Sequence, residues 1–152
     1  MELPYLKQEC NLTLREGLKI HYSVDPSYKK NVDIAPVFYN HDIAHVLFGL
    51  STAVQHESLV DTRVIFGTNW GFKKYVNDYF NNPDAIKIIM EIFKETGYIK
   101  GILLSLKSFF KAFSIIIDCM RMSKKWEVNP SEDSLDTPLS DLRKQYNITI
   151  IN

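Results

Sequence analysis

Cysteine is scarce in this chain: only Cys10 and Cys119 occur, far apart and in no CxxC spacing. That excludes a disulfide framework and a thiolate zinc site, and it fits a reducing compartment such as the cytoplasm. A charge excess of one sign is also lacking, because 18 Lys and Arg residues balance 18 Asp and Glu residues. No basic field draws the chain onto phosphates, so nucleic acid is set aside as a partner. The opening "MELPYLKQEC" has none of the basic and then apolar patterning of a signal peptide, and no export is expected. Glycine and proline number six each and fall mainly where helices can end.

A long unbroken apolar run is missing as well. The richest stretch, residues 98–122, is interrupted by Lys100, Lys107, Lys111 and Asp118. A membrane span needs about 20 residues with few or no charges, so this is not one. At about 100° per residue the four charges fall on one stripe. Leu106, Phe109, Phe110, Phe113, Ile116 and Ile117 lie on the wide opposite arc. Two readings follow from that pattern. In one, the segment is a central core helix with a single wet edge; in the other, part of the arc lines an apolar tunnel or meets a membrane surface, with the lysines near lipid headgroups.

What is present is helical periodicity nearly throughout, with 45% hydrophobic and 24% charged residues, values typical of a folded globular chain. The pattern predicts an all-α, single-domain bundle of about six helices; 152 residues suffice for one core and are too few for two. The first helix is predicted over "LTLREGLKIHYSV", closed by a turn at "DPSYKKN", and a second from Ala35 or Pro36 to Phe48. Asn81 or Asn82, with Pro83, starts a helix that ends at Gly97. "EVNPSEDSLD" reads as a surface loop, and "TPLSDLRKQYNI" as a short last helix with Thr137 as N-cap.

Chemistry concentrates in "HDIAHVLFGLSTAVQHE", His41 to Glu57. Residues four apart on a helix differ in direction by about 40°, so His41 and His45 share a face and can share a metal ion. Asp42 points to the side of that face, as a ligand through local distortion or as a group orienting an imidazole. In an unbroken helix Glu57 would lie about 18 Å beyond His45 and could not reach it. A break is encoded, however: Gly49 suits a left-handed C′ position, and Thr52 with Gln55 matches a capping box. The expected result is two facing antiparallel helices with a corner near Ser51, bringing His45 and Glu57 level. Two imidazoles with one or two carboxylates suit Zn²⁺ or another borderline divalent ion.

Elsewhere the residues read as structural. His21 and His56 are expected on helix surfaces or edges, and Trp70 and Trp126 as packing anchors. "FGTNWG" reads as a helix-ending turn, Arg63 and Lys74 as surface cations, and the two cysteines as small buried hydrophobes.

With His41, Asp42, His45 and Glu57 in place, and Gly49 and Thr52 between them, the chain resembles the Coq4 family of ubiquinone-biosynthesis proteins, whose signature is HDxxH, eleven residues and Glu. "LREGLKIHY" and "LSDLRKQYNI" are similar to segments flanking that signature. The likeness is to a short, bacterial-type member.

The resemblance implies an all-helical, dimeric protein peripheral to the membrane, holding a divalent metal, with zinc expected. The implied reaction removes the ring carboxylate of a polyprenylated hydroxybenzoate oxidatively and leaves a hydroxyl. In that setting His41, Asp42, His45 and Glu57 are the metal-ligand candidates, with Asp42 and Glu57 the catalytic candidates. The 106–117 arc would take the prenyl tail. Zinc does not itself activate dioxygen, so either the oxidation is substrate-centred or another divalent ion serves. Two alternatives stand beside this: a non-catalytic lipid-binding or scaffold protein of a quinone-biosynthesis complex, and an HD-type phosphohydrolase. The latter requires an upstream His and a downstream Asp on neighbouring helices, for which His21 and Asp61 are available.

Overall fold

The computed structural model describes residues 3–97, 103 and 109–151. Among these, nine α-helices and one short 3₁₀ turn (Pro4–Leu6) form an all-α structure without strands. The centre is α3 (Val37–Leu47), in which every residue from Asp42 onward is buried. Helices α1 (Leu14–Val24), α2 (Pro26–Ile34), α4 (Val54–Gly67) and α9 (Leu139–Tyr146) pack around it.

α1 starts on a complete capping box, Thr13 accepting from the Glu16 amide while Glu16 accepts from the Thr13 amide. Its buried residues Leu14, Gly17, Leu18 and His21 follow the three-and-four spacing of one helical face. Gly17 is where α1 crosses α3, because a Cβ there would fall 2.4 Å from Val46 Cγ1. That close crossing carries His21, one turn on, against α3. His21 is fully buried, correcting the expectation of a surface position.

The predicted turn at "DPSYKKN" is itself a helix, α2. Asp25 caps it by accepting from the Ser27 amide, and Pro26 occupies its first turn, so the same Asp-Pro pair that stops α1 starts α2. No α2 residue is fully buried, which is why hydrophobic periodicity does not reveal it.

The break after α3 forms as the sequence predicts. Gly49 adopts φ +64°, and a Cβ there would meet Ile150 Cδ1 at 2.4 Å. α4 then starts from Ala53 rather than Thr52, and the Ser51 hydroxyl, not that of Thr52, accepts from the Ala53 amide. α4 leads through Thr68–Trp70 into α5 (Gly71–Phe80), and α6 (Pro83–Thr96) follows. The predicted caps of α6 are in place, Asn82 accepting from the amides of Asp84 and Ala85, and Gly97 at φ +84°. Trp70 and Trp126 are buried anchors, Trp70 packing edge-on against Tyr75.

α7 (Phe109–Arg121) packs along α4 and faces opposite to the core-helix reading. Ile115, Asp118 and Cys119 point inward, whereas Phe110 and Phe113 are 83% and 62% exposed and Ile117 and Met120 also face outward. The cause is Arg63 on α4, itself buried, whose guanidinium donates to Asp118 at 2.5 Å and to the Thr149 carbonyl at 2.7 Å. A carboxylate with a buried cationic partner stays inside, and the apolar arc turns out. Arg63 is thus a core residue and not the surface cation expected, while Lys74 does pair at the surface with Asp78. Leu106 lies outside the described residues, as does the side chain of Phe109.

The predicted loop 127–136 contains the single turn α8 (Glu132–Leu135), capped by Ser131 and tied to α1 through Arg15, which pairs with Glu132 and Asp136. α9 begins one residue later than predicted, with Pro138 rather than Thr137 as N-cap. No described helix is long and apolar enough to cross a membrane.

Candidate metal centre

Folding α4 back on α3 brings His41, His45 and Glu57 together, each offering a ligand atom within 4.8 Å of the others. Glu57 Oε2 is 3.6 Å from His45 Nε2 and 3.7 Å from His41 Nε2. These separations are too long for hydrogen bonds, which cluster at 2.7–3.2 Å. They are close to the edge of a coordination tetrahedron, because two ligands bound at about 2.1 Å lie roughly 3.4 Å apart. The donor set, two imidazoles and a carboxylate, leaves coordination positions open for water or substrate.

The order of pairing shows the antiparallel run: His45 faces Glu57 near the corner, and one turn away His41 faces Asp61 at 3.4 Å. Asp61 is not among the residues that the HDxxH signature marks. Its spacing carried the signal, since Asp61 follows Glu57 by four residues as His45 follows His41. The Tyr75 hydroxyl of α5 donates to Asp61 and fixes the carboxylate.

The supporting contacts suit ligation. His45 Nδ1 lies 3.3 Å from the Leu50 carbonyl, and a proton shared there leaves Nε2 as the lone-pair nitrogen facing Glu57. The end of α3 is held by Arg143, fully buried, which donates to the carbonyls of Val46 and Leu47 at the helix C-terminus and to those of Tyr5 and Lys7. Arg143 thereby meets the orphan acceptors that every helix C-terminus presents.

Asp42 is buried beside this group rather than within it. Its Oδ1 lies 3.6 Å from His21 Nε2, while Oδ2 has no hydrogen-bond partner. The His21 ring sits 5.2 Å from that of His45, centroid to centroid. His56 faces elsewhere, with Nδ1 2.8 Å from the Ser51 hydroxyl, and burial lowers its pKa further.

The electrostatics favour a cation. Burial pushes the His41 pKa down, yet Asp61 and the charges of Glu57 and Asp42 outweigh it and raise it to about 9. Burial likewise pushes the Glu57 pKa up, but His45 and His41 hold it below the usual carboxylate range. A pocket that retains a proton on a nearly buried imidazole is one in which positive charge is stabilised. Donor chemistry, spacing and charge all fit a divalent ion held by His41, His45 and Glu57.

Compared with known proteins, the chain matches no family model, no curated protein and no solved structure.

Proposed function

We propose that the chain is a divalent-metal protein acting on a carboxylated aromatic lipid, in line with its resemblance to the ubiquinone-biosynthesis family, and that zinc or another borderline divalent ion is its cofactor. The observation that carries this reading is the placement of Glu57 Oε2 at 3.6 and 3.7 Å from the two Nε2 atoms of His45 and His41. Bound there, a divalent ion supplies Lewis acidity to an aryl carboxylate or phenolate. Asp61 stands at the accessible side beside the three ligands and is positioned to accept a proton from the substrate, while half-exposed Glu57 holds the ion. His45 and Asp42 close the buried side and keep water out. The outward apolar residues Phe110, Phe113 and Ile117 of α7, with Ile116 half-buried next to them, offer a surface for a prenyl tail or a peripheral membrane contact. A homodimer belongs to the same proposal.

Replacing the ring carboxylate by hydroxyl is a two-electron oxidation that consumes dioxygen and water and releases carbon dioxide and hydrogen peroxide. The test is aerobic turnover of a synthetic prenylated hydroxybenzoate by untagged protein, followed as carbon dioxide release. Metal-dependent release that is lost in a folded Glu57→Gln variant supports the reading. Metal binding without any turnover leaves the lipid-binding scaffold.

A second reading is favoured by one placement. The phosphohydrolase alternative needs an upstream His and a downstream Asp near the HD pair, and His21 lies against Asp42 while Asp61 lies against His41. Metal-dependent hydrolysis of a phosphomonoester, with the prenylated hydroxybenzoate unchanged, would select it.

A further inference from the structure

Behind the three-residue centre lies a second buried polar group. His21 is fully buried and Asp42 nearly so, and His21 Nε2 makes no hydrogen bond. The Tyr22 hydroxyl and Asp42 are coupled by charge and by a side-chain hydrogen bond, so those two face each other. Buried donors and acceptors are almost always satisfied, so His21 Nε2, turned toward Asp42, calls for a partner.

Spacing discriminates among partners. His21 Nε2 and Asp42 Oδ1 are 3.6 Å apart, beyond a direct hydrogen bond. A bridging water about 2.8 Å from each would be held at an angle of only about 80°, far below its natural angle. A cation bound about 2.1 Å from each would be held at about 118°, near the tetrahedral value. The outer nitrogen is prepared as in ligating histidines: His21 Nδ1 lies 3.2 Å from the Tyr5 hydroxyl, and donating its proton there leaves the Nε2 lone pair facing Asp42.

We propose that His21 and Asp42 hold a second divalent cation beside the one assigned to His41, His45 and Glu57, so that the centre is binuclear. The proposal rests on the metal reading above. α1 supplies His21, and α3 supplies Asp42 from the side of the helix adjoining the His41 and His45 face. Two protein donors hold this ion more weakly than three hold the first, and an angle near tetrahedral between an imidazole nitrogen and a carboxylate oxygen suits Zn²⁺ or another borderline divalent ion. Two ions on adjacent sides of one helix could clamp two oxygens of a single carboxylate or phosphate group.

The test counts ions. Untagged chain is stripped with chelator, dialysed against Mn²⁺ alone and against Zn²⁺ alone, and the bound metal per chain is measured for the wild type, His21→Gln and Asp42→Asn. Circular dichroism checks that each variant is folded. Two ions in the wild type and one in both variants is the expected result. Asp42→Asn preserves side-chain volume and keeps the test informative if His21→Gln does not fold. A single ion in the wild type overturns the second site while leaving the first, two ions in all three proteins place the extra ion elsewhere and also overturn it, and no ion overturns the metal reading itself.

Discussion

Glu57 Oε2 lies 3.6 Å from His45 Nε2, although the two residues are separated in sequence by a helix end, a left-handed glycine and a new helix start. The contact exists only because the chain reverses at residues 48–53, so it reports both the fold and the chemistry. On the proposed metal reading, removing that carboxylate takes away a ligand rather than an orienting group. Loss of an outer-shell partner alone costs about 10- to 100-fold in metal affinity. Glu57→Gln is therefore expected to weaken Zn²⁺ binding by more than about 100-fold, measured by chelator competition. Because Glu57 is paired with His41 and His45 and sits in the first turn of α4, the metal-free variant should unfold below the wild-type temperature, and circular dichroism measures the shift.

Metal uptake should release a proton. In the metal-free protein His41 holds its proton to about 9, against an ordinary 6.5, whereas Glu57 stays ionised below the usual range. Only a neutral imidazole ligates, so binding at pH 7.5 displaces about one proton from His41, and the number falls toward zero above pH 9. Calorimetry in buffers of different ionisation enthalpy measures that count. The stability linkage has the matching sign: the folded pKa is raised, so the His41 contribution to the metal-free fold is complete below about 6.5 and is lost as pH rises through about 9. A proton count near zero at pH 7.5 would contradict this.

Arg143 is a buried cation solvated by carbonyls from two segments of chain, residues 5–7 and the end of α3. Burial lowers its pKa to about 10, partly offset by Cys10 and Glu9. Arg143→Leu removes the side-chain donor to the Tyr5, Lys7 and Leu47 carbonyls and leaves the Val46 carbonyl at the end of α3 with backbone donors alone. Breaking such a buried arrangement from one side costs about 3–5 kcal/mol, and urea unfolding of the metal-free protein should show it.

The Arg63 and Asp118 pair makes a distinct prediction about additivity. Both side chains are buried where α4 meets α7. Arg63→Met or Asp118→Leu alone strands one charge and should cost about 3–5 kcal/mol, whereas the double replacement should cost clearly less than the larger single one. A double-mutant cycle in urea measures the coupling.

How much of this was legible in the sequence differs by residue. The four-residue spacing of His41 and His45, with Gly49 as a break before Glu57, is local chemistry, and it sufficed to bring these three side chains together. Asp61 repeats the same spacing on the return helix and could have been read the same way. His21 could not, because its burial depends on α1 meeting α3 across Gly17, a packing fact with no local signature. Asp118 failed for a related reason: hydrophobic periodicity assigns a charge to water unless its partner is known, and Arg63 is 55 residues away. α2 was read as a turn because a helix lacking a buried face leaves no apolar stripe.

That inverted orientation of α7 leads to the last prediction. Phe113, Ile117 and Met120 are exposed and recur at three- and four-residue spacing, so they form one outward apolar stripe beside Phe110. Exposed aromatic side chains contribute little to the folded core, so Phe110→Ser together with Phe113→Ser should leave the unfolding temperature nearly unchanged or slightly raised. Each ring buried in lipid would instead contribute about 1.5–3 kcal/mol, so losing two should reduce partitioning onto lipid vesicles by at least about 100-fold. Sedimentation with neutral phosphatidylcholine vesicles measures the partitioning, and the choice of an uncharged lipid keeps Lys111 from supplying the attraction. If the double variant sediments with vesicles as the parent does, the stripe is not a lipid-contacting surface.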